Sequence, residues 1–342
     1  MHGFCKKIYR IIEMTYSVGS LYAGVGGICL GFQQAGFNLI WANEYDKNAC
    51  ITYRNNFDHK LIEGDVLSLD INSLEPVDVL CAGFPCQPFS VAGYRKGFND
   101  HRGNHFFKVM DFVDIMNPKV IFLENVKNLV THDNGNTFRI IRDSIIERGY
   151  SFDAKVLNTK DYGNIPHNRE RIFIVAFNEE KTNNAQRFFD FPSPVKLTKS
   201  IHEIIVKEKL DDSFYYGEDK WFYAEFQKQI TDKNAIYQWR RKYVRENKTG
   251  CCPTLTANMG TGGNNVPIIK TDFGFRKLTP EECFEFQGFP IKEGEYKLPN
   301  MARSHLYKQA GNSVSVPVIK SIASNILKAL NGVNVCRELS LF

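Results

Sequence analysis

Short apolar runs alternate with amphipathic stretches along the first half of the chain. The runs at 17–21, 39–42, 77–82 and 120–123 have the length and apolar content of buried strands. Helical periodicity occupies the intervals at about 27–35, 46–55 and 104–116. This alternation predicts an α/β fold built on a doubly wound, mostly parallel sheet.

Two more strands are predicted at 152–157 and 171–177. Only 13 residues separate them, and these include Gly163 and Pro166. Because this connection has no room for a full helix, we expect the two strands to be antiparallel and to form a hairpin at the edge of the sheet.

The regular alternation ends near the segment FPSP at 191–194 and returns after Phe275. Residues from about 195 to 275 are irregular, with basic, aromatic and Gly/Asn-rich patches, and they predict a smaller, irregular second lobe. A closing helix is expected at 316–330. We therefore expect an N-terminal extension at 1–15, a first domain at 16–180, a second at 181–298 and a C-terminal segment at 299–342 that returns to the first domain.

Composition narrows the classes of protein. The 342 residues are 43% hydrophobic and 13% aromatic, which supports a packed core and argues against disorder. A net charge of +5 permits nucleic-acid binding without requiring it. The nine Cys include no C-x-x-C pair, which disfavours a disulfide framework and a structural zinc, so we expect a cytoplasmic protein without metal. No signal peptide or membrane anchor is predicted, and Met14 is an alternative start.

A glycine-rich turn, LYAGVGG at 21–27, follows the first predicted strand. Such a turn lets backbone approach a ligand, although packing glycines in a tight turn explain it equally well. Glu44 ends the second strand 20 residues after Gly24, where an acid can accept ribose hydroxyls. Asp65 ends a further strand pattern, the third along the chain, just after Gly64. It could accept an adenine amino group, or either acid could cap a turn. Together they favour an adenosine-containing cofactor.

The loop GFPCQPFS at 83–90 follows the fourth predicted strand. A buried Cys is usually inert, and Cys81, inside the strand, fits that description. Cys86 instead lies on the loop between two prolines. A loop Cys near a helix N-terminus can gain thiolate character and attack an electrophile.

Charged residues follow the next two predicted strands. Glu124, in ENV at 124–126, would have a raised pKa in an apolar strand end and could donate a proton, or it could cap a helix. Arg169 and Arg171 flank Glu170, and a period of two places both guanidinium groups on one side. The pair could hold a carboxylate and a carbonyl oxygen, or form surface ion pairs with Glu170.

In this order, the motifs resemble those of the bacterial DNA (cytosine-5) methyltransferases of restriction-modification systems. The resemblance covers about 16–330 and rests on GVGG at 24–27, Glu44, Gly64–Asp65, GFPCQPFS at 83–90, ENV at 124–126, RER at 169–171, RKLTPEE at 276–282, QGFP at 287–290 and YKQAGNSV at 307–314. It implies the Rossmann-like fold of class I methyltransferases. It also implies that 16–180 is the catalytic and cofactor-binding domain and that 181–298 is the target recognition domain.

The resemblance implies catalytic roles. Cys86 matches the nucleophile that adds to cytosine C6, and Glu124 matches the acid at N3. Arg171 matches the arginine that holds the base O2 and orients the glutamate, with Arg169 in the same element. The reaction would occur on a flipped-out cytosine in a short specific sequence of double-stranded DNA. The glycine-containing stretch at 91–103 could act as a lid.

The implied cofactor is S-adenosylmethionine, with S-adenosylhomocysteine as the product. Three glycines would line its methionine end, Glu44 would hold the ribose, Asp65 the adenine amino group, and Tyr45 would stack on the adenine. The full set of expected cofactor residues is Tyr22, Gly24, Gly26, Gly27, Glu44, Tyr45, Asp65, Val66, Pro85, Asn312 and Ser313.

The second lobe interleaves aromatic and basic residues in YQWRRKYVR at 237–245, a pattern typical of nucleic-acid contacts. A solvated basic strand is the alternative. Small polar residues follow at 252–265. The expected DNA contacts are Gln87, Ser90, Arg95, Arg102, Tyr237, Trp239, Arg240, Arg241, Arg245, Thr254, Thr256 and Asn258.

Three positions depart from the family pattern. Tyr22 stands where Phe is more usual, His167 where the arginine element usually begins with Gln, and His105 where a Leu often follows the lid. The consequences of the two histidines for turnover stay open.

Other functions are compatible with parts of the sequence. A nicotinamide dehydrogenase would share the glycine turn and Glu44 but would not need the Cys86 loop. A tRNA cytosine-5 methyltransferase of the same fold usually carries a Cys-Phe-Thr element, which this sequence lacks. A catalytically silent DNA-binding regulator is expected to lose Cys86 or Glu124. We also expect a monomer that binds double-stranded DNA, needs no membrane, and works separately from any cognate restriction endonuclease.

Overall fold

A computed structural model describes residues 15–85, 105–240, 242–247, 249–261 and 266–333 of the chain. The predicted N-terminal extension, apart from its last residue, lies outside the described residues. So do Cys86 and the 91–103 stretch for which a lid was predicted.

A seven-stranded sheet forms the centre of the larger unit, in the order β3-β2-β1-β4-β5-β7-β6. Its strands are β1 Ser17–Leu21, β2 Asn38–Glu44, β3 Lys60–Glu63, β4 Val79–Ala82, β5 Val120–Val126, β6 Asp153–Asn158 and β7 Glu170–Phe177. The first five strands are parallel, and β7 runs antiparallel between β5 and β6. The predicted doubly wound sheet with an antiparallel hairpin at its edge is confirmed.

Helices cover both faces of this sheet. The helices of the described residues are α1 Gly27–Gln34, α2 Lys47–Arg54, α3 His105–Met116, α4 Asn136–Ile146, α5 Thr159–Tyr162, α6 Tyr223–Gln229, α7 Pro280–Glu285, α8 Arg303–Asn312 and α9 Val316–Leu330, of which α6 packs against the small sheet described below. Single turns of 3-10 helix lie at Val66–Ser68, Ile71–Ser73, Lys127–Val130, His132–Gly135, Ala185–Phe188, Ile201–Glu203 and Asp212–Phe214. Among the described residues, no helix is long and apolar enough to cross a membrane.

Helix α9, predicted at 316–330, packs tightly against α1. A Cβ added at Gly31 would lie 2.5 Å from Cγ2 of Ile319 and 3.0 Å from the backbone nitrogen of Lys320. A glycine at this position therefore lets the C-terminal helix approach the first helix closely. The contact brings the start of α9 beside α1, which the glycine-rich turn precedes.

The smaller unit contains a second sheet, which the sequence pattern did not predict. Its antiparallel strands are β8 Tyr237–Trp239, β9 Val244–Glu246, β10 Ile268–Thr271 and β11 Gly274–Lys277, in the order β11-β10-β8-β9. An aromatic cluster that includes Phe226, Trp239 and Phe275 forms its own small core. Strands of three or four residues are too short to show a clear alternation of apolar and polar positions, so the region looked irregular in the sequence.

A buried ion pair fixes the return from the small sheet to the larger unit. Arg276 of β11 contacts both carboxylate oxygens of Glu282 in α7, at 2.6 and 2.8 Å, and both residues are almost fully buried. Glu282 also accepts hydrogen bonds from the backbone N–H groups of Val206 and Thr279. These extra bonds satisfy the carboxylate, which a buried charge requires.

Candidate active site and cofactor pocket

A cavity of about 530 Å³ lies at the carboxyl ends of the parallel strands, between β1, β2, β3, β4 and β5. Small-molecule sites in proteins typically have volumes of about 300–1,000 Å³. The C-terminal end of α8 closes the cavity from the far end of the chain. The predicted cofactor residues that line it are Tyr22, Gly24, Gly27, Glu44, Tyr45, Asp65, Val66, Pro85, Asn312 and Ser313.

Glu44 organises the glycine-rich turn. Its buried carboxylate accepts hydrogen bonds from the backbone N–H of Gly24 at 2.7 Å, of Asp46 at 2.8 Å and of Tyr45 at 3.0 Å. Burial raises the pKa of Glu44, and the three N–H groups oppose that effect. The side chain therefore holds the ends of β1 and β2 together, while Oε2, which accepts one of these bonds, keeps a lone pair for a ligand.

Gly26 has a different environment from the other glycines of the turn. It is the N-cap of α1 with φ +85°, and an added Cβ would lie 2.2 Å from the ring of Phe57 and 3.1 Å from the ring of Tyr53. Its missing side chain therefore serves the packing of α1 against these rings. At Gly27, by contrast, an added Cβ would lie 2.8 Å from Oγ of Ser313.

The mouth of the cavity is polar. Tyr45 is 68% exposed there, and exposed Asp65 accepts a hydrogen bond from the backbone N–H of Leu67. Lys308 of α8 forms an ion pair with Asp46 at 2.6 Å. This pair lowers the pKa of Asp46, against the opposing effect of its partial burial. Lys308 and Asp46 were not predicted as site residues, although Lys308 lies inside the 307–314 motif.

His105, the first residue of α3, reaches the same cavity. Its Nδ1 lies 3.1 Å from the hydroxyl of Tyr22, and the two rings pack edge to face. Burial raises the pKa of Tyr22, so this hydroxyl stays neutral. The two residues that depart from the family pattern here therefore contact each other.

Glu124 of β5 lines the inner end of the cavity and pairs with Arg171 of β7. Nε of Arg171 lies 3.2 Å from Oε1 of Glu124, with only 16% and 10% of the side chains exposed. The two meet because Arg171 lies opposite Val126 in the antiparallel ladder and Glu124 is two residues further along the same face. Burial raises the pKa of Glu124, while Arg171 and Arg169 oppose that rise.

Arg169 lies just before β7 but points elsewhere. Its buried guanidinium donates hydrogen bonds to the carbonyl oxygens of Leu255, Gly311 and Ser313. The spacing predicted that both guanidinium groups act together, but the structure gives them different partners. Arg171 contacts the carboxylate of Glu124, while Arg169 joins three distant segments of the chain.

The predicted DNA contacts fall into three groups. Five of the side chains are exposed, those of Arg240, Arg245, Thr254, Thr256 and Asn258. Tyr237 and Trp239 are buried in the core of the small sheet, where Tyr237 donates its hydroxyl to the carbonyl of Asp232. Their aromatic side chains thus have a packing role that the sequence pattern did not reveal. Outside the described residues lie Gln87, Ser90, Arg95, Arg102 and Arg241, together with Cys86.

One exposed aromatic residue of the small unit was not singled out in the sequence. Trp221 is 77% exposed and packs edge to face on Trp239 and Phe222. No recognisable motif surrounds it in the sequence. Within the described ranges, no group of three or more His, Cys, Asp or Glu side chains is placed to hold a metal ion.

Comparisons with known proteins agree with this geometry. The family model for C-5 cytosine-specific DNA methylases matches residues 16–328. Type II methyltransferase M.Bsp6I of Bacillus sp. (strain RFL6) is 58% identical over 318 residues, covering 92% of this chain and 99% of the relative. Type II methyltransferase M.HhaI of Haemophilus parahaemolyticus is 38% identical over 324 residues, covering 91% and 94%.

A solved structure shares the fold. A mutant of Spodoptera frugiperda DNMT2 superposes with a TM-score of 0.67 at 22% identity, over 93% of this chain and all of the other. At this identity the likeness supports the fold alone. The family model and the bacterial relatives carry the assignment of DNA as the substrate class. The chain therefore belongs to the C-5 cytosine-specific DNA methylases, of the bacterial restriction-modification type.

Proposed function

We propose that the protein transfers a methyl group from S-adenosylmethionine to C5 of a flipped-out cytosine in a short double-stranded DNA sequence, through a covalent bond between Cys86 and cytosine C6. The observation that carries this proposal is the shared cavity, which Glu44 and the glycine-rich turn line at one end and Glu124 at the other. A cofactor held by Glu44 would thus lie next to a base held by Glu124.

The residues present fit S-adenosylmethionine. The buried Oγ of Ser313 has no hydrogen-bond partner in the structure, and it lines the cavity beside Gly27. Glu44 would accept a ribose hydroxyl, Asp65 and Tyr45 would hold the adenine, and Gly24 would leave room for the methionine end. When bound, this cofactor supplies an electrophilic methyl group.

The proposed chemistry uses three side chains. The thiolate of Cys86 would add to C6, and Glu124 would give a proton to N3, so that C5 becomes nucleophilic and attacks the methyl group. Loss of the C5 proton to solvent, departure of the thiolate and return of the N3 proton to Glu124 would then restore the aromatic ring. Arg171 would hold the base O2 while its Nε keeps Glu124 in place.

The covalent step can be trapped. DNA with 5-fluorocytosine at the target position should form a stable adduct, because fluorine cannot leave as the C5 proton does. Cys86→Ala should abolish the adduct and methylation but retain DNA binding. Cys81→Ala, a change in buried β4, serves as the control and should retain the adduct. An adduct that survives Cys86→Ala would place the nucleophile elsewhere.

The role of Glu124 predicts a pH dependence. Because burial raises its pKa, Glu124 is protonated up to a higher pH than an exposed Glu, and the protonated fraction falls as the pH rises through that value. Single-turnover methylation should therefore decrease on the alkaline side. Glu124→Gln should lose this alkaline decrease and be slower by roughly 10²–10⁴-fold.

Glu170→Gln is the matched control for Glu124, since Glu170 lies on the neighbouring strand β7, next to Arg171, but pairs with Lys127 at the surface. We expect it to retain the wild-type rate and pH profile. An unchanged rate in Glu124→Gln would refute the proposed proton donor.

Cofactor binding tests the role of Glu44. Glu44→Ala removes the acceptor for the ribose and for three backbone N–H groups. We expect the affinity for S-adenosylmethionine to fall by about 1.5–3 kcal/mol, roughly ten- to a hundredfold, in titration calorimetry. Glu63→Gln, at the surface end of β3 and paired with Arg54, should bind normally. Equal affinity in the wild type and Glu44→Ala would contradict the assignment.

We further propose that the small sheet belongs to a target recognition domain at 181–298, between the catalytic domain at 16–180 and the returning segment at 299–342. The support is its separate aromatic core and the exposed arginines of the β8–β9 hairpin. The same proposal retains Gln87, Ser90, Arg95, Arg102 and Arg241 as DNA contacts on sequence grounds. On the family resemblance of the sequence, we also propose a cytoplasmic monomer that acts separately from a cognate restriction endonuclease.

Ala variants of Arg240 and Arg245 would distinguish a contact to a base from a contact to a phosphate. If an arginine reads a base, its replacement by Ala should weaken DNA binding by about 1–3 kcal/mol and relax the specificity at one position of the site. Loss of a phosphate contact should instead weaken binding to all sequences alike and reduce the slope of affinity against salt concentration by about one. Bisulfite sequencing and salt-dependent binding measure the two effects. Arg142→Ala, on exposed α4, is the control. Unchanged site preference and unchanged salt dependence in both variants would exclude the hairpin from the DNA interface.

A further inference from the structure

The 252–256 segment, in the proposed target recognition domain, is hydrogen-bonded directly to the residues that lead into β7. These residues and the start of β7, 166–171, are called the arginine element below because they contain Arg169 and Arg171. The backbone N–H of Cys252 donates to the carbonyl of Pro166 at 2.7 Å, and the N–H of Asn168 donates to the carbonyl of Cys252 at 2.8 Å. The hydroxyl of Thr254 donates to the carbonyl of Asn168 at 2.6 Å. The 252–256 segment thus runs beside the residues that lead into β7.

Both backbone groups of Leu255 are held by side chains of this element. Its N–H donates to Nε2 of His167 at 3.3 Å, and its carbonyl accepts from Arg169 at 3.0 Å. His167 and Leu255 are almost completely buried. With both groups held, Leu255 cannot slip along the element without leaving buried polar atoms unpaired, which is costly.

The partners of His167 determine its tautomer. The carbonyl of Phe286 lies 2.9 Å from Nδ1, so that nitrogen must carry the proton, and Nε2 is then the acceptor for the Leu255 N–H. Burial and the charge of Arg169 lower the pKa of His167, which keeps the ring neutral. One side chain therefore bridges the C-terminal end of α7 and the 252–256 segment.

The other side of the segment is blocked by α8. A Cβ added at Gly311 would lie only 2.2 Å from the backbone carbon of Thr256. The segment is thus confined between the arginine element and α8, with Leu255 buried and the side chains of Thr254 and Thr256 exposed.

We propose that His167 is a positioning residue which, with Arg169, holds the 252–256 segment in one register on the element that carries Arg171. This proposal rests on the proposed function. The bonds of His167 and Arg169 to Leu255 fix the exposed Thr254 and Thr256 relative to the Glu124–Arg171 pair. DNA bound by the segment is therefore held in one orientation relative to the catalytic groups. Recognition and catalysis are coupled through His167, which needs one donor and one acceptor but no charge.

Two variants separate hydrogen bonding from packing. His167→Gln retains a donor and an acceptor, whereas His167→Leu retains apolar volume and loses both. Hydrogen exchange of the Leu255 amide should accelerate in His167→Leu and return toward the wild-type rate in His167→Gln. Nitrogen NMR of the wild-type imidazole should show the proton on Nδ1. If His167→Leu does not fold, His167→Asn replaces it, since its shorter amide cannot reach both partners.

Single-turnover kinetics test whether His167 couples DNA recognition to catalysis. At saturating DNA, His167→Leu should lower the single-turnover rate by roughly ten- to a hundredfold, as a misplaced catalytic group does. His167→Gln should stay within about threefold of the wild type, since it restores the two bonds. The KM for S-adenosylmethionine should be the same in all three proteins. Ile230→Ala, in the core of the small sheet, controls for lost stability and should retain the rate.

The proposal is overturned if the Leu255 amide exchanges equally in all variants, or if His167→Gln is as slow as His167→Leu. It is also overturned if Ile230→Ala lowers the rate as much as His167→Leu. A wild-type protein that methylates no cytosine would instead overturn the proposed function and the coupling built on it. In that case, hydrogen exchange of the Leu255 amide would still show whether His167 holds the 252–256 segment in place.

Discussion

The buried guanidinium of Arg169 constrains how the site is assembled. A buried charge needs hydrogen-bond partners, and here the two terminal nitrogens of the guanidinium donate to the carbonyls of Leu255, Gly311 and Ser313, while the buried Nε has no partner in the structure. Leu255 lies in the 252–256 segment, and Gly311 and Ser313 lie at the C-terminal end of α8. Arg169 can therefore be buried only after the hairpin, the 252–256 segment and the end of α8 have come together. The same association places Ser313 beside Gly27 and completes the wall of the cavity.

Most of the larger unit could be predicted from the sequence because its signals are local. The strands predicted at 17–21, 39–42, 77–82 and 120–123 correspond to β1, β2, β4 and β5, and the 13-residue connection before β7 leaves no room for a crossover helix. The positions of Glu44 and Glu124 follow from the same logic. Both lie near the carboxyl ends of parallel strands, which meet at one edge of a sheet, so their convergence on one cavity was predictable before any contact was known.

The remaining features depend on contacts between residues far apart in sequence. The small sheet has strands too short to show a period, and the burial of Tyr237 and Trp239 comes from an aromatic core that surrounds them in space. Gly26 looked like a third ligand glycine, yet its missing side chain accommodates Phe57. His167 was only a departure from a pattern in the sequence. Its two backbone partners, at Phe286 and Leu255, are more than 80 residues away and explain why an imidazole fits there.

Burial and local partners act in opposite directions on each of the two carboxyl groups of the cavity. Burial raises the pKa of both carboxyl groups. Glu44 accepts three backbone N–H groups, which stabilise its ionised form and suit it to accept bonds from a ligand. Glu124 faces a guanidinium at 3.2 Å. A base that accepts the carboxyl proton there would leave a carboxylate beside Arg171, which stabilises the charge as it forms. The backbone thus holds the carboxylate of Glu44 in place, while the guanidinium of Arg171 favours the ionised form of Glu124.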